Sequence, residues 1–432
     1  MHHVLNEVTQ QISRHSLFYA LICLLSTTGY SVQSNKNYAA YTNEGADGNR
    51  FVKYSTDLPN AQILDIALSA PAKWVVALPY KKGSIWVVAL EDGRLEKIVV
   101  QGNTVVLQQL MDVKLPAGMP PVIRRNKNGQ VEVMNQLMQD VSDHACCSVF
   151  GKDNDYLAYV AANGDLVTLD SKGASSRFQI NALFDSRVLV DKDSRLLVLT
   201  GPTDHYAHGA LGDKMESTSM TLLSPDPNVH VIRTILLPPG TVFEGLYPLW
   251  LDLDSDGEME IVITLCNNSD GEGARIVVLN EHGTILSKGH LSPGGWRHQL
   301  VAIPMSENRS WQIADIQKPH VQKTVYFYEY ALGNLEVVGL LTGYSSHMYA
   351  SRNLDMTRTG DFDSDGIIEL LVPSAEHTHL HALSAKGNTV QDKWNLDIGG
   401  EIRSNLQTVT LKNGNTVLGT VNSNSKLRLW IP

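Results

Sequence analysis

The sequence has 432 residues, of which 43% are hydrophobic and 19% are charged, and its formal net charge is −10. This composition predicts a folded, well-packed protein and excludes a disordered chain. The acidic balance argues against nucleic acid or an anionic membrane surface as a partner, because both bind basic patches.

The N-terminus, residues 1–29, is predicted to be an export signal that is cleaved. The apolar run of residues 17–25 follows Arg14 and His15, and small and polar residues come after it. Such a run suits the core of a signal peptide and is too short to span a bilayer. A short membrane anchor or a buried strand is the alternative. We therefore expect a secreted, periplasmic or cell-surface protein with no membrane span in its mature chain.

Three cysteines remain after the predicted cleavage: Cys146, Cys147 and Cys266. An odd number of cysteines in an exported chain leaves at least one thiol unpaired. The adjacent Cys146 and Cys147 either form a strained disulfide or are ordinary buried cysteines. The sequence has no Cys-x-x-Cys or zinc-ligand spacing, so we do not expect disulfides to hold this fold together.

After a predicted linker, residues 30–49, short apolar segments alternate with turn dipeptides. Residues 74–78 and 85–90 are two such segments, and Asp92-Gly93 is one such turn. This pattern is typical of antiparallel hairpins. About eight units recur at spacings of roughly 35 to 65 residues, and each unit holds about four strands, which is the content of one propeller blade.

We therefore predict that residues 50–432 form a single all-β domain, a β-propeller of seven or eight four-stranded blades. The unit near Val106 is poorly defined, which leaves the count open between these two numbers. The last unit, which ends at Pro432, lacks an outer strand, and residues 50–54 are predicted to supply it. Such a strand would close the ring and remove an exposed sheet edge. We expect the protein to be a monomer.

Two acidic loops repeat the pattern Asp-x-Asp-x-Asp-Gly-x-x-Glu. Alternating carboxylates in a curled loop converge on one point, the glycine permits the sharp turn, and an oxygen cage of this charge suits Ca²⁺. Strands follow the loops directly, and Ile263 and Val372 stand where an EF-hand would need its bidentate glutamate. These are therefore predicted to be calcium-binding hairpin loops, with solvated acidic turns as the alternative. The predicted ligands are Asp252, Asp254, Asp256 and Glu260 in one loop, and Asp361, Asp363, Asp365 and Glu369 in the other.

The two loops, each of which leads into an apolar strand, resemble FG-GAP repeats, as found in integrin α-chain propellers and bacterial VCBS-repeat proteins. The resemblance covers two of the units, roughly a fifth of the chain. It implies a propeller stabilised by Ca²⁺, with the eight acidic residues named above at the ligand positions of the family. The family includes adhesion proteins, ligand-binding proteins and carbohydrate-active enzymes, so the resemblance does not determine the function.

Blade topology places both acidic loops between the first and second strands of their units, on one face of the propeller. Histidine-rich and arginine-containing segments fall on the opposite face, where loops of several blades converge at the central channel. The alternative is that these are ordinary surface histidines. The candidate ligand-binding residues are His205, His208, Arg297, His298, Tyr349, Arg352 and His377.

Two classes of function fit these features. In the first, the propeller is a binding or adhesion module for a glycan or protein, and Ca²⁺ is structural. In the second, it is a polysaccharide lyase that acts on an acidic polysaccharide by β-elimination, which needs a base and a cation beside the substrate carboxylate. His205, His208 or Tyr349 would be the base, and Arg297 or Arg352 the cation. No common catalytic motif is present, which favours binding.

Overall fold

The computed structural model describes residues 51–432, apart from residues 53, 127, 143–146, 152–155, 207–208, 210, 226–227, 255, 268–272, 293–294, 304–310 and 387–388. The predicted signal peptide and linker therefore lie outside the described residues, as do His208 and Cys146. Cys147 and Cys266 are buried, and neither is in a disulfide within the described residues.

The regular secondary structure of the described residues is β-strand, apart from a short 3-10 helix at Met134–Leu137. No helix in this part of the chain has the length and apolar character needed to cross a membrane. The strands in chain order are β1 (Phe51–Val52), β2 (Gln62–Ala67), β3 (Ala72–Tyr80), β4 (Gly83–Leu90), β5 (Arg94–Gln101), β6 (Thr104–Lys114), β7 (Ile123–Arg125), β8 (Val131–Val133), β9 (Ser148–Phe150), β10 (Tyr156–Val160), β11 (Asp165–Asp170), β12 (Ser175–Gln179), β13 (Leu189–Val190), β14 (Leu196–Thr203), β15 (Glu216–Ser224), β16 (His230–Leu236), β17 (Thr241–Leu251), β18 (Glu260–Asn267), β19 (Gly273–Asn280), β20 (Ile285–Lys288), β21 (Arg297–Ile303), β22 (Trp311–Gln317), β23 (Thr324–Ala331), β24 (Asn334–Thr342), β25 (Arg358–Gly360), β26 (Glu369–Pro373), β27 (His379–Lys386), β28 (Thr389–Asp397), β29 (Gln407–Thr410), β30 (Thr416–Asn422) and β31 (Lys426–Ile431).

Within each meander, strands that follow one another in the chain pair antiparallel, as a direct connection between neighbouring strands dictates. In the part of the chain that the structure describes, five sheets of four or five strands are separate blades: β3–β6, β9–β12, β21–β24, β25–β28 with β1, and β29–β31 with β2. The prediction of seven or eight blades is therefore not met. The strands from β13 to β20 run together in one eight-stranded sheet, as two four-stranded meanders joined by the pair Ser217 and Phe243. The poorly defined unit near Val106 is the outer strand β6, followed by the two-stranded hairpin β7–β8.

Neighbouring sheets pack face to face through buried apolar side chains. Trp86 of the first blade shares one core cluster with Leu429 of the last, and Trp430 of that last blade shares another with Leu380 of the blade before it. Gly419 permits this approach, because a Cβ at that position would lie 2.5 Å from the Trp86 ring. Four-stranded meanders packed in sequence, with the last against the first, make a β-propeller. The predicted all-β propeller is confirmed.

The ring is closed by a strand from the N-terminal side, although residues 50–54 do not supply it. β2 pairs antiparallel with β31, with Gln62 opposite Ile431. β1 instead pairs parallel with β25 in the neighbouring blade. The backbone amides of Thr56 and Leu58 then bond the carbonyls of the loop after β25, at 2.9 and 2.8 Å, so the next stretch of chain reaches the last blade.

Candidate functional site

The first acidic loop joins β17 to β18, the first and second strands of their meander. Carboxylate oxygens of Asp252, Asp254 and Glu260 lie within 4.8 Å of one another. The loop is curled by its own backbone amides: Leu253 N–H donates to Glu260 at 2.7 Å, and Gly257 N–H donates to Asp252 at 3.2 Å. Gly257 has a φ of +95°, a conformation that other residues rarely adopt.

The electrostatics of this loop favour a cation. Burial raises the pKa of Glu260 to about 7, as do the charges of Asp254, Asp256 and Asp252, against the lowering effect of the Leu253 amide. Carboxylates held this close repel each other when they are ionised. Oxygen donors of this charge and spacing fit Ca²⁺, which takes carboxylate and carbonyl oxygens at about 2.3–2.6 Å.

The second acidic loop, between β25 and β26, has the same backbone design. Phe362 N–H donates to Glu369 at 2.8 Å, and Gly366 N–H donates to Asp361 at 3.2 Å. Here a lysine that the sequence analysis did not single out lies among the acids. Its hydrogen bonds to Asp363, Asp365 and Glu369 raise the pKa of Lys393 above its usual value, although burial opposes the charge.

A cluster of imidazole rings lies where the link between β24 and β25 meets neighbouring loops. The Nε2 atoms of His320 and His347 are 3.1 Å apart, and the His377 ring contacts the His347 carbonyl at 3.2 Å. The His298 ring packs edge-on against His347 with 6.0 Å between centroids, and Tyr349 packs edge-on against His320 at 5.4 Å. Three predicted residues, His298, Tyr349 and His377, are thus brought together by two that were not proposed as candidates.

In this histidine cluster (His298, His320, His347, His377 and Tyr349), the four histidines are buried or half-buried and the tyrosine is exposed. Burial lowers the pKa of His347 well below its ordinary value, and it also lowers the pKa values of His320 and His377. These three imidazoles are therefore neutral near pH 7. Tyr349 is 74% exposed and gives the cluster an aromatic surface toward solvent.

The candidate Arg297 lies inside its blade, away from any surface. Its guanidinium is fully buried and contacts Asp315 at 2.8 Å and the Tyr328 hydroxyl at 2.9 Å. Burial raises the pKa of Asp315 to about 6, against the lowering effect of Arg297. The pair is a structural element of the β21–β23 packing.

Arg352 joins a different polar group. Its side chain pairs with Asp185 at 2.9 Å and also with Asp213, which lies in the β14–β15 loop. Arg187 donates to the Arg352 carbonyl at 3.0 Å. His205 lies exposed in the same β14–β15 loop.

The chain matches no protein-family model, and it matches no curated protein sequence. Among solved structures it is similar to the Cps50 (Swd1) β-propeller domain of Myceliophteria thermophila, with a TM-score of 0.44, 8% identity, and coverage of 85% of this chain and 98% of that one. It is also similar to U3-55K (TM-score 0.42, 11% identity, coverage 87% and 100%) and to BBS1N in its complex with ARL6DN (TM-score 0.41, 10% identity, coverage 86% and 98%). Likenesses this distant add no argument about function. The β-propeller assignment rests on the strand order, and the FG-GAP resemblance stays a prediction.

Proposed function

We propose that the protein is a calcium-binding β-propeller that acts as a binding or adhesion module for a glycan or protein ligand. The observation that carries the proposal is the convergence of Asp252, Asp254 and Glu260, whose carboxylate oxygens lie within 4.8 Å of one another. Such a loop can gain much stability from Ca²⁺, because its acidic side chains otherwise repel. The role of the ion would be structural, since it would hold the β17–β18 hairpin in one conformation.

The ligand-binding part of the proposal rests on the histidine cluster. Loops between second and third strands and links between blades meet there, at strand ends opposite to the acidic loops. Tyr349, exposed beside the His320 ring, offers a flat aromatic surface, and neutral imidazoles offer hydrogen-bond donors and acceptors. Rings of this kind can stack on sugars or pack against a protein side chain.

The lyase alternative has less support. It needs a cation free to neutralise a substrate carboxylate, and both candidates are already engaged with acids. Arg297 is fully buried against Asp315, and Arg352 pairs with Asp185 and Asp213. A binding module needs neither arginine at its surface.

An extracytoplasmic location would suit this proposal, as the predicted signal in residues 1–29 requires. Extracellular calcium modules work with dissociation constants of about 10⁻⁴ to 10⁻³ M. A loop of modest affinity would therefore be filled outside the cytoplasm.

The calcium part is tested by thermal unfolding of the purified mature protein in chelator and in excess Ca²⁺. A ligand that binds the folded state alone stabilises it by about 2.7 kcal/mol at a hundredfold excess over its Kd. We expect the melting temperature to rise with Ca²⁺ and the rise to disappear in Asp254→Asn. Glu258→Gln, a change at an exposed glutamate of the same loop, is the matched control and keeps the rise. Identical melting curves with and without Ca²⁺ would overturn the calcium site.

The binding face is tested with a glycan array that includes uronic-acid polysaccharides. We expect Tyr349→Ala to weaken binding of any glycan hit at least about tenfold, a loss of about 1.4 kcal/mol. Tyr156→Ala, at a partly exposed tyrosine on β10, is the control and keeps full binding. Ultraviolet absorbance from unsaturated products would instead indicate a lyase, and an empty array would direct the search to protein ligands.

A further inference from the structure

The two acidic loops share one backbone design but differ in what their carboxylates face. In the second loop the Lys393 ammonium lies 2.7 Å from Asp363, 2.7 Å from Asp365 and 2.8 Å from Glu369. An ammonium has three N–H donors, and each one has a carboxylate partner here. The second loop thus contains a cation supplied by the chain itself.

The strand pairing shows which residue of the first meander stands at the position of this lysine. In the blade of the second loop, Leu383 pairs with Asp392 and Ala382 with Trp394, so Lys393 is the extra residue of a β-bulge. In the meander of the first loop, Leu279 pairs with Ile285 and Val278 with Ser287, which leaves Leu286 at the bulge.

These two bulges occupy equivalent positions. Leu279 pairs with Ile261, the residue after Glu260, and Leu383 pairs with Leu370, the residue after Glu369. Leu286 in the first meander therefore corresponds to Lys393 in the second. The first meander thus has a neutral side chain at the position where the second meander has a charged one.

The second loop is also braced by other parts of the chain. The Trp394 indole donates to Asp363 at 2.9 Å. The backbone amide of Thr56 donates to the Asp361 carbonyl at 2.9 Å, and that of Leu58 donates to the Phe362 carbonyl at 2.8 Å. These contacts brace the loop from both sides.

We propose that Lys393 is the resident cation of the second loop, and that the protein binds one calcium ion rather than the two that its repeated motif implies. A calcium ion needs the same oxygens at about 2.3–2.6 Å, so it cannot enter while the ammonium touches all three. Carboxylate oxygens of Asp361, Asp363 and Asp365 do lie within 4.8 Å of one another, so it is the lysine, and not the spacing of the acids, that keeps Ca²⁺ out of the second loop. The inference rests on the proposed calcium site only for its reference, the first loop.

The inference predicts how the loops respond to an exchange of their bulge residues. Lys393→Leu gives the second loop the bulge residue that the first loop has. Asp361 Oδ1 is then available as a further ligand, because it is buried without a hydrogen-bond partner in the described part of the chain. This variant should bind two calcium ions. Leu286→Lys should close the first loop and bind none.

The experiment is calorimetric titration of the chelator-treated mature protein with Ca²⁺. We expect a stoichiometry of one for the wild type, none for Asp254→Asn, and one for Asp363→Asn. A wild-type stoichiometry of two that falls to one in Asp363→Asn would overturn the role of Lys393. If the wild type binds none, the first-loop site is wrong, and a single site gained by Lys393→Leu would still support the inference. Failure of Lys393→Leu to gain a site would overturn it.

A second measurement decides the matter if Lys393→Leu does not fold. Asp363→Asn removes one partner of Lys393, so it should lower the melting temperature equally in chelator and in Ca²⁺. Asp254→Asn should lower it only in Ca²⁺. An Asp363→Asn effect that vanishes in chelator would mean that calcium, and not lysine, holds the second loop.

Discussion

The Arg352 guanidinium donates to the Asp185 carboxylate at 2.9 Å, although 167 residues separate them in the chain. Asp185 precedes β13 and Arg352 precedes β25, the first strands of two meanders that are not neighbours. The side-chain amide of Asn353 donates to the carbonyl of Lys73 in β3 of the first blade, at 2.9 Å. These contacts link three sheets at or near their first strands, so Arg352 helps to hold the ring of blades together.

The first prediction concerns this ion pair. Arg352→Met leaves the buried Asp185 without its partner, and removal of one member of a buried pair costs about 3–5 kcal/mol. We expect a loss of about 3 kcal/mol in the free energy of unfolding, measured by denaturant titration. Arg94→Met, which breaks an exposed pair with Asp92, is the control and should cost less than about 1 kcal/mol. Equal losses in the two variants would contradict a structural role for Arg352.

A second prediction concerns the pH dependence of Asp355. Burial raises the pKa of this carboxyl to about 7, against the lowering effect of Arg358. The folded state then holds the proton more tightly than the unfolded chain, so this group lowers stability as the pH rises from about 4 to about 7.

Asp355→Asn removes this dependence. Its stability relative to the wild type should rise between pH 4 and pH 7, by at most about 4 kcal/mol at about 1.4 kcal/mol per pH unit. Melting curves at several pH values measure this difference. Asp112→Asn, at an exposed position of β6, should run parallel to the wild type. A constant difference for Asp355→Asn would show that the carboxyl is not strained by burial.

The third prediction concerns His347, whose effect on stability has a pH dependence opposite to that of Asp355. Burial and the neighbouring imidazoles of His320 and His377 lower its pKa well below the ordinary value. The unfolded chain binds a proton near pH 6.5 and the folded state resists it, so stability falls as the pH drops through about 6.5. His347→Gln should lose less stability than the wild type between pH 7 and pH 5. His282→Gln, in an exposed turn, should follow the wild type.

Much of the architecture could be predicted from the sequence, because period-two apolar segments and glycine turns determine hairpins locally. Both acidic loops lie between first and second strands of their meanders, as their spacing indicates. The boundaries between blades, in contrast, depend on contacts between residues that are far apart in the sequence. The pair Ser217 and Phe243 merges two meanders into one sheet, and no short pattern in the sequence indicates that contact.

The site was harder to predict for the same reason. Lys393 is distant from Asp363 in sequence, and only the bulge in β28 turns it toward the loop. A comparison of the two repeats could have drawn attention to it, since Leu286 stands at the matching position. The burial of Arg297 depends on Asp315, a residue on the adjacent strand, and no local sequence pattern indicates this pairing.

The fourth prediction concerns the seam between the last and first blades. A Cβ at Gly419 would lie 2.5 Å from the Trp86 ring, which is fully buried and cannot move aside. Gly419→Ala should therefore cost about 1–3 kcal/mol, the usual penalty of overpacking. Gly102→Asn, at a turn with open space and a left-handed φ of +54° that asparagine tolerates, is the control. Thermal unfolding of both variants measures the difference.

The pairing of β2 with β31 also sets the order in which the protein can finish folding during synthesis. Arg428 meets Asp65 in this sheet, 363 residues later in the chain. At roughly 5–20 residues per second, the ribosome needs roughly 20–70 s to make that stretch. Throughout this interval β2 has no partner strand, and its open edge can pair with another nascent chain. β2 therefore stays without its native partner for roughly 20–70 s, and slower translation would lengthen the interval in which it can aggregate.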